Sequence, residues 1–251
     1  MPESRPFVLT IAGFDPSGGA GVLADAKTFE QHHVYGFAVN TGNTIQTENE
    51  FFEMQWTDID FVLKSLDKLL QKYTIKAVKI GIIPSLDYLK KIVSLVKKLS
   101  PKTKIVWDTV LKSSTEFNFI TIENQAILIE ILEEIDLITP NYNEISQLSS
   151  ENINAETIAV TLSKHCAVLL KGGHNPSAIG IDYLYLENEI FRLTPNSTLV
   201  FEKHGSGCVL SSAITANLAL GQDLKTACIN AKKYIETYLE SNQTKLGYHH
   251  V

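Results

Sequence analysis

The stretch LTIAGFDPSGGAGVLADAKTF, Leu9–Phe29, passes from a short apolar run through a loop containing Gly13, Gly18, Gly19 and Gly21 into a segment of helical character. A strand, a glycine-rich loop and a helix in direct succession read as the first βα unit of a parallel sheet. The same alternation extends outward along nearly the whole chain. Candidate strands lie at Val8–Gly13, Phe37–Ile45, Lys76–Gly81, Lys104–Asp108, Leu137–Thr139 and Ala167–Lys171. Helical periodicity fills the gaps at about Gly19–His32, Asp58–Lys72, Ser85–Leu99, Ile122–Glu133, Asn154–His165, Gly207–Leu220 and Leu224–Glu240. In Ser85–Leu99 the apolar residues recur at helical spacing, and Lys90, Lys91, Lys97 and Lys98 between them form a solvated face. From Ala178 to Leu193 the period shortens to two, with Glu187-Asn188 as a hairpin turn. The pattern predicts an α/β fold: a mostly parallel central sheet flanked by helices on both faces, with an antiparallel edge.

With 251 residues the chain exceeds the usual domain of roughly 100–200, but parallel α/β folds reach this size as one unit, so residues 1–251 are expected to form a single domain. Hydrophobic residues make up 44% and charged residues 20%, which supplies a sizeable core and excludes a disordered or fibrous chain. The formal charge of −6 argues against a general nucleic-acid binder, while leaving room for a local cationic pocket. Cys166, Cys208 and Cys228 have no CxxC spacing, so neither a disulfide framework nor a zinc knuckle is expected and a reducing cytoplasm fits best. The opening MPESRPFVLTIAG lacks the features of a signal peptide. Cys208–Gly221 is shorter than a membrane span and carries Ser211, Ser212, Thr215 and Asn217, so no membrane partner is expected.

Ligands of open α/β sheets bind outside the carboxyl ends of the strands, so the residues that follow each strand matter most. Gly19-x-Gly21-x-x-Ala24 superficially matches a dinucleotide fingerprint. Four residues, Phe14 to Ser17, separate it from the strand, however, and the next strand ends in neutral Val39-Asn40-Thr41 where a ribose-binding carboxylate belongs. A second cluster, His204-Gly205-Ser206-Gly207-Cys208, runs directly into an apolar helix. Free amides at a helix N-terminus make an anion site, and the same field would favour a Cys208 thiolate; a plain glycine turn with a buried cysteine reads equally well from this segment alone. Asp108 ends one strand, Asn141 and Glu144 follow another, and Lys171 ends a third. Carboxylates suit Mg²⁺ and a lysine suits phosphate oxygens. Singly, Asp108 reads as a helix cap, Glu144 as a solvated helix residue and Lys171 as the partner of a carboxylate. Together, beside a glycine-rich anion site, they read as one kinase centre.

At this point the chain resembles the phosphomethylpyrimidine kinases of thiamine biosynthesis, within the ribokinase-like superfamily. Leu9–Phe29 is similar to the opening signature of that family. VYGFAVNTGNTIQ at Val34–Gln46, KIG at Lys79–Gly81, WDTVL at Trp107–Leu111, TPNYNE at Thr139–Glu144, LLKGGH at Leu169–His174 and HGSGC at His204–Cys208 follow in the family's order. The resemblance implies a ribokinase-like fold and ATP-dependent phosphorylation of 4-amino-5-hydroxymethyl-2-methylpyrimidine and of its monophosphate. Carried over by position, Gly13, Ala20, Asp25 and Gln46 would line the pyrimidine pocket, with Ile82 and Val110 as apolar walls. Gly205, Ser206, Gly207 and Cys208 would form the anion hole, with Cys208 as the base. Asp108 and Glu144 would organise Mg²⁺, Lys171 would meet the nucleotide phosphates, and Asn141, His204 and Ser206 would also face ATP. The chain departs from the usual pattern at Thr109, Leu111, Ile82, Lys203 and Ser206, and its Lys112–Phe119 loop lacks the usual glycine. These departures bear on substrate preference, because pyridoxal kinases share the architecture. A catalytically silent pyrimidine-binding relative is a third reading, against which the joint presence of Asp108, Glu144, Lys171 and Cys208 argues. Relatives in the superfamily are often dimers, so a homodimer is a further expectation.

Overall fold

The computed structural model of the protein describes residues 4–112, 118–175, 177–196 and 200–249. Most of the loop whose glycine is missing, residues 113–117, lies outside the described residues.

Strand β1, Phe7–Phe14, opens the fold and holds six consecutive buried residues, as expected of a strand covered on both faces. The chain then forms α1 (Gly21–Gln31), β2 (Tyr35–Gln46), β3 (Phe51–Trp56), α2 (Ile59–Lys72), β4 (Ile75–Ile80), α3 (Leu86–Leu99) and β5 (Lys104–Trp107). It continues through α4 (Gln125–Leu132), β6 (Leu137–Ile138), α5 (Tyr142–Ile145), α6 (Ala155–Leu162), β7 (Ala167–Leu170), β8 (Asp182–Leu186), β9 (Glu189–Leu193), α7 (Ser206–Ala219) and α8 (Leu224–Glu240). The described strands make one nine-stranded sheet in the order β3-β2-β1-β4-β5-β6-β7-β8-β9. From β2 to β7 every neighbouring pair is parallel, so the carboxyl ends of six strands share one edge.

The layers follow from strand periodicity. Leu9, Val78, Ile105, Ile138 and Val168 point into the core shared with α2, α3, α4 and α6. Their chain neighbours Val106, Leu137 and Leu169 point to the opposite face, against α7 and α8. Helix α7 is buried nearly all round, from Val209 to Ala219. That explains the near absence of polar periodicity in this segment.

The sheet carries two antiparallel edges rather than the one expected. Strands β8 and β9 form the anticipated hairpin, with Glu187 at φ +55° in its turn. At the other edge β3 pairs with β2, from Gly42 opposite Trp56 to Gln46 opposite Phe51. Nothing in FFEMQW alternates cleanly, and the segment is partly exposed throughout, so it gives little periodic signal. Among the described residues no helix is long and apolar enough to cross a membrane, and Cys166, Cys208 and Cys228 are free thiols.

Candidate active site

Most helices cap their own N-termini. Asp58, Ser85, Asn124, Asn154 and Asp223 each accept from a first-turn amide of α2, α3, α4, α6 and α8. Helices α1 and α7, which follow the two glycine clusters, have no side-chain cap. At α7 the N-cap is Gly205, in a left-handed conformation at φ +72°. A Cβ there would lie 2.0 Å from the Gly19 carbonyl oxygen, so glycine is required both by conformation and by the approach of the first glycine loop. Ser206 N reaches the Lys203 carbonyl only at 3.4 Å and Val209 N bonds Gly205 O at 3.0 Å, leaving the amides of Gly207 and Cys208 as first-turn donors without an intrahelical acceptor. These are the amides that the sequence reading offers to an anion, and the positive end of the α7 dipole lies behind them.

Asp15 joins the two loops. Its buried carboxylate accepts from Ser17 N (2.9 Å), Ser17 Oγ (2.8 Å), Ala20 N (2.8 Å) and His204 Nε2 (3.0 Å). Burial raises the pKa of Asp15, but the His204, Ser17 and Ala20 donors outweigh it and hold the carboxyl below its ordinary value. His204, expected to face nucleotide, therefore gives Nε2 to Asp15 and rests its ring against Gly19. The geometry makes it a clasp between loops.

A cation and two carboxylates converge beside Gly207. Lys171, just past β7, places Nζ 3.1 Å from Asp108 Oδ1 and 3.6 Å from Glu144 Oε2. Its backbone is held by Lys171 N donating to Pro140 O at 2.8 Å, which brings the ends of β6 and β7 together. A Cβ on Gly207 would lie 3.3 Å from that Nζ and 3.9 Å from Asp108 Oδ2, so the cluster and the open helix end face one point. Asp108 is fully buried; Oδ1 also accepts from Thr139 Oγ1 (2.9 Å) and Oδ2 from Ser211 Oγ (3.1 Å). Burial raises its pKa, but Lys171 and Lys79 outweigh that and keep it below the usual carboxylate range. Glu144 lies in a capping box with Asn141, accepting from Asn141 N at 2.7 Å while Asn141 Oδ1 caps α5. Burial pushes the Glu144 carboxyl up, because Asp108 opposes the help that Lys171 gives. Lys171 is drained by burial and restored by both carboxylates, which raise it above the ordinary lysine value.

Among the described residues no cluster of three or more His, Cys, Asp or Glu side chains could hold a metal. Asp108 and Glu144 are the hard oxygen donors beside Gly207, the donor class that suits Mg²⁺; both face Lys171, and Asp108 also accepts from Thr139 and Ser211.

Asp25 is placed differently from the expectation. It is fully buried and bonded to Thr10 Oγ1, Ser212 Oγ (2.6 Å) and Lys79 Nζ (2.9 Å), so no oxygen is left facing a pocket. The lysine partner reaches it from β4, a contact between residues 54 positions apart that no local pattern announces. This buried pair lies one helical turn below Cys208, since Ser212 is its i+4 neighbour on α7. Cys208 itself departs from the expected lowered thiol. Burial pushes it up to about 11; Lys79 and the Gly21 amide pull the other way, and Asp108 and Asp25 add to the rise.

The remaining pocket residues sit where β1 meets β2 and β4. Ile82 packs on Gly13, whose Cβ would lie 2.3 Å from Ile82 Cδ1, and Thr41 Oγ1 fixes the Ile82 carbonyl at 2.8 Å. Half-buried Val110 follows Asp108, donating its N–H back to Asp108 O at 2.8 Å, and half-buried Ala20 caps α1. Strand β2 outlasts β1, whose last residue Phe14 pairs with Asn43, so Gln46 overhangs the site edge with Nε2 on Thr44 Oγ1 at 2.8 Å. The Gln46 side chain is half-buried. Asp15, Lys79, Thr139, Ser211 and Ser212 are the site residues that sequence reasoning passed over. Polar side chains on the apolar α7 segment were the available signal for the two serines.

Comparison with known proteins gives a consistent set of likenesses. The phosphomethylpyrimidine kinase family profile matches residues 15–251. The hydroxymethylpyrimidine/phosphomethylpyrimidine kinase of Aquifex aeolicus is 35% identical over 252 residues, covering 95% of this chain and 96% of its own length. The crystal structure of phosphomethylpyrimidine kinase from Clostridium difficile is similar at a TM-score of 0.77 and 31% identity, covering 92% of this chain and 98% of that one. The pyridoxal kinase from Staphylococcus aureus in complex with AMP-PCP and pyridoxal is similar at a TM-score of 0.83 and 26% identity, covering 97% and 92%.

Proposed function

Because the chain belongs to the phosphomethylpyrimidine kinase family, and shares its ribokinase-like fold, we propose that it phosphorylates 4-amino-5-hydroxymethyl-2-methylpyrimidine, its monophosphate, or both, from ATP, for thiamine diphosphate synthesis. Residues 1–251 act in this reading as one kinase domain. The observation that carries it is the convergence on Gly207: free amides of an uncapped helix and the Lys171 cation face the same point, beside two carboxylates.

Phosphoryl transfer needs positioning and charge stabilisation more than covalent chemistry. The amides of Gly207 and Cys208 receive the equatorial oxygens of the transferring group, with Gly205 and Ser206 shaping the loop that presents them. Lys171 meets the nucleotide phosphates, and Asn141 and Ser206 border the nucleotide. Asp108 and Glu144 would be the oxygen donors for Mg²⁺, which when bound would supply neutralisation of phosphate charge. The hydroxymethyl group lies near Cys208, between Gly13, Ala20, Ile82 and Val110, and Gln46 reads the aminopyrimidine edge, since an amide both donates and accepts. Asp25 supports this pocket from behind through Ser212 rather than touching the ligand. The same reading includes a cytoplasmic setting, which suits three free thiols, and a homodimer, which would cover Phe52 of β3 or Ile190 of β9, 62% and 57% exposed.

Pyridoxal is the competing substrate because the similarity in structure to a pyridoxal kinase is high. Gln46 separates the two. Gln46→Leu weakens pyrimidine binding by about 1–3 kcal/mol in calorimetric titration, because the aminopyrimidine edge loses its partner, and weakens pyridoxal binding less. Equal losses for the two ligands would remove Gln46 from substrate selection.

A further inference from the structure

We propose that the ammonium of Lys203 is a built-in cation that clamps the segment after α8 onto the anion-site loop, making Lys203 a positioning residue for Gly205–Cys208. The inference rests on the kinase reading above for its rate measurements, and on geometry for the clamp itself. Lys203 is only 4% exposed. Its Nζ donates to the carbonyl oxygen of Asn242, to Thr244 O at 2.7 Å and to Asn242 Oδ1 at 3.3 Å. All three acceptors are neutral oxygens, and burial lowers the lysine without a carboxylate to offset it. A cage of amide carbonyls around a monovalent cation replaces the hydration shell of that cation, which is how such an ion is held without a counter-charge.

The clamped segment touches both glycine loops. Lys245 O accepts from His204 N at 2.9 Å, directly before the helix cap, and Leu246 Cδ2 lies 3.1 Å from where a Cβ on Gly19 would stand. The segment is internally braced, with Asn242 Nδ2 donating to Leu246 O at 2.9 Å and Thr244 N to Asn242 Oδ1 at 2.8 Å. Lys203 also offers its own carbonyl to Ser206 N at 3.4 Å. The chain thus passes from a caged cation to the open amides within six residues, 203 to 208, with His204 held to the clamped segment between them. Shifting this segment by about an ångström moves the amides away from the phosphoryl oxygens, a misplacement that can lower rates ~10²-fold.

The test uses the full chain with Lys203→Ala and Asn242→Leu, and methylammonium as the probe. Lys203→Ala is expected to lower kcat about 10²-fold while the Kd of the pyrimidine stays near wild type. Methylammonium, which can donate into the emptied cage, restores turnover saturably; tetramethylammonium, which cannot donate, does not. Hydrogen exchange measured by mass spectrometry over residues 205–210 rises in Lys203→Ala and falls again with methylammonium, a readout independent of turnover. Asn242→Leu, which keeps the ammonium but removes one acceptor, lowers kcat in the same direction. A Lys203→Ala protein with wild-type kcat and exchange overturns the clamp, as does a joint loss of kcat and pyrimidine affinity that no amine reverses. If neither variant folds, the cage is a stability element and the positioning role is likewise overturned. Absence of turnover in the wild type counts instead against the proposed function, and the exchange measurement still decides the clamp.

Discussion

Cys208 sits where two effects on a thiol oppose each other, the field of a helix N-terminus and removal from water. Burial dominates and pushes the group up to about 11, well above the ordinary thiol value. A thiol raised in this way gains ionised fraction about tenfold per pH unit below its pKa. If Cys208 accepts the hydroxymethyl proton, the kcat ratio of wild type to Cys208→Ala therefore widens by about a hundredfold between pH 7 and pH 9. Steady-state rates at saturating substrate check this; a ratio that stays flat with pH removes Cys208 from proton transfer. The sign for stability is the reverse. The folded state keeps its proton when the unfolded thiol has lost it, so this residue's contribution declines as pH rises from the unfolded value towards about 11. At this scale the site was only partly legible. Lys171 and Glu144 each admitted a bland reading and a functional one. The bland reading of Lys171 as the partner of a carboxylate holds, since it pairs with Asp108, whereas Glu144 is not on a solvated face: its side chain is 12% exposed and completes a capping box. Asp25 was read as a pocket residue, and its bond to Lys79, 54 residues away, could not be foreseen, because sequence gives no sign that a carboxylate is already neutralised.

Among the elements, the turn into α7 makes the strongest demand on sequence. Gly205 and Gly221 flank the same helix and both have positive φ, +72° and +86°. Their surroundings differ: a Cβ on Gly205 meets Gly19 O at 2.0 Å and Ala20 Cα at 2.7 Å, whereas nothing lies within 4 Å of one on Gly221. Gly221→Ala is expected to lower stability by about 1–2 kcal/mol, the penalty of a left-handed alanine, with kcat unchanged. Gly205→Ala adds a backbone collision to that penalty, pushes the two glycine loops apart and lowers kcat as well. Urea unfolding beside turnover assays distinguishes the two, and equal kcat values for both variants would show that the contact between the loops does not set the anion site. The alternation of strands and helices was readable because buried strands and amphipathic helices impose different periods. Strand β3 escaped because a partly exposed edge segment with mixed burial shows neither period. Helix α5, four residues long, is specified by its Asn141–Glu144 capping box rather than by any apolar repeat.

At the scale of the whole molecule, an acidic chain of net charge −6 concentrates buried ammonium groups around the start of one helix. Lys171 lies beside Gly207, Lys79 a turn below Cys208 and Lys203 behind the loop. Low exposure strengthens their action on an anion. Composition allowed such a pocket and the resemblance assigned Lys171 to it, but Lys79 and Lys203 join only through folding, from β4 and from the segment before α7. The parallel sheet makes this possible by delivering six strand ends to one edge, and the two helices that leave their N-termini uncapped open onto it. The central claim is that this edge transfers phosphate from ATP to a hydroxymethylpyrimidine. It is tested most directly by coupled ATP turnover with 4-amino-5-hydroxymethyl-2-methylpyrimidine, its monophosphate and pyridoxal measured in parallel on the purified wild-type protein. The account predicts a higher kcat/KM for at least one of the two pyrimidines than for pyridoxal; turnover of pyridoxal above both pyrimidines, or of none of the three, would contradict it.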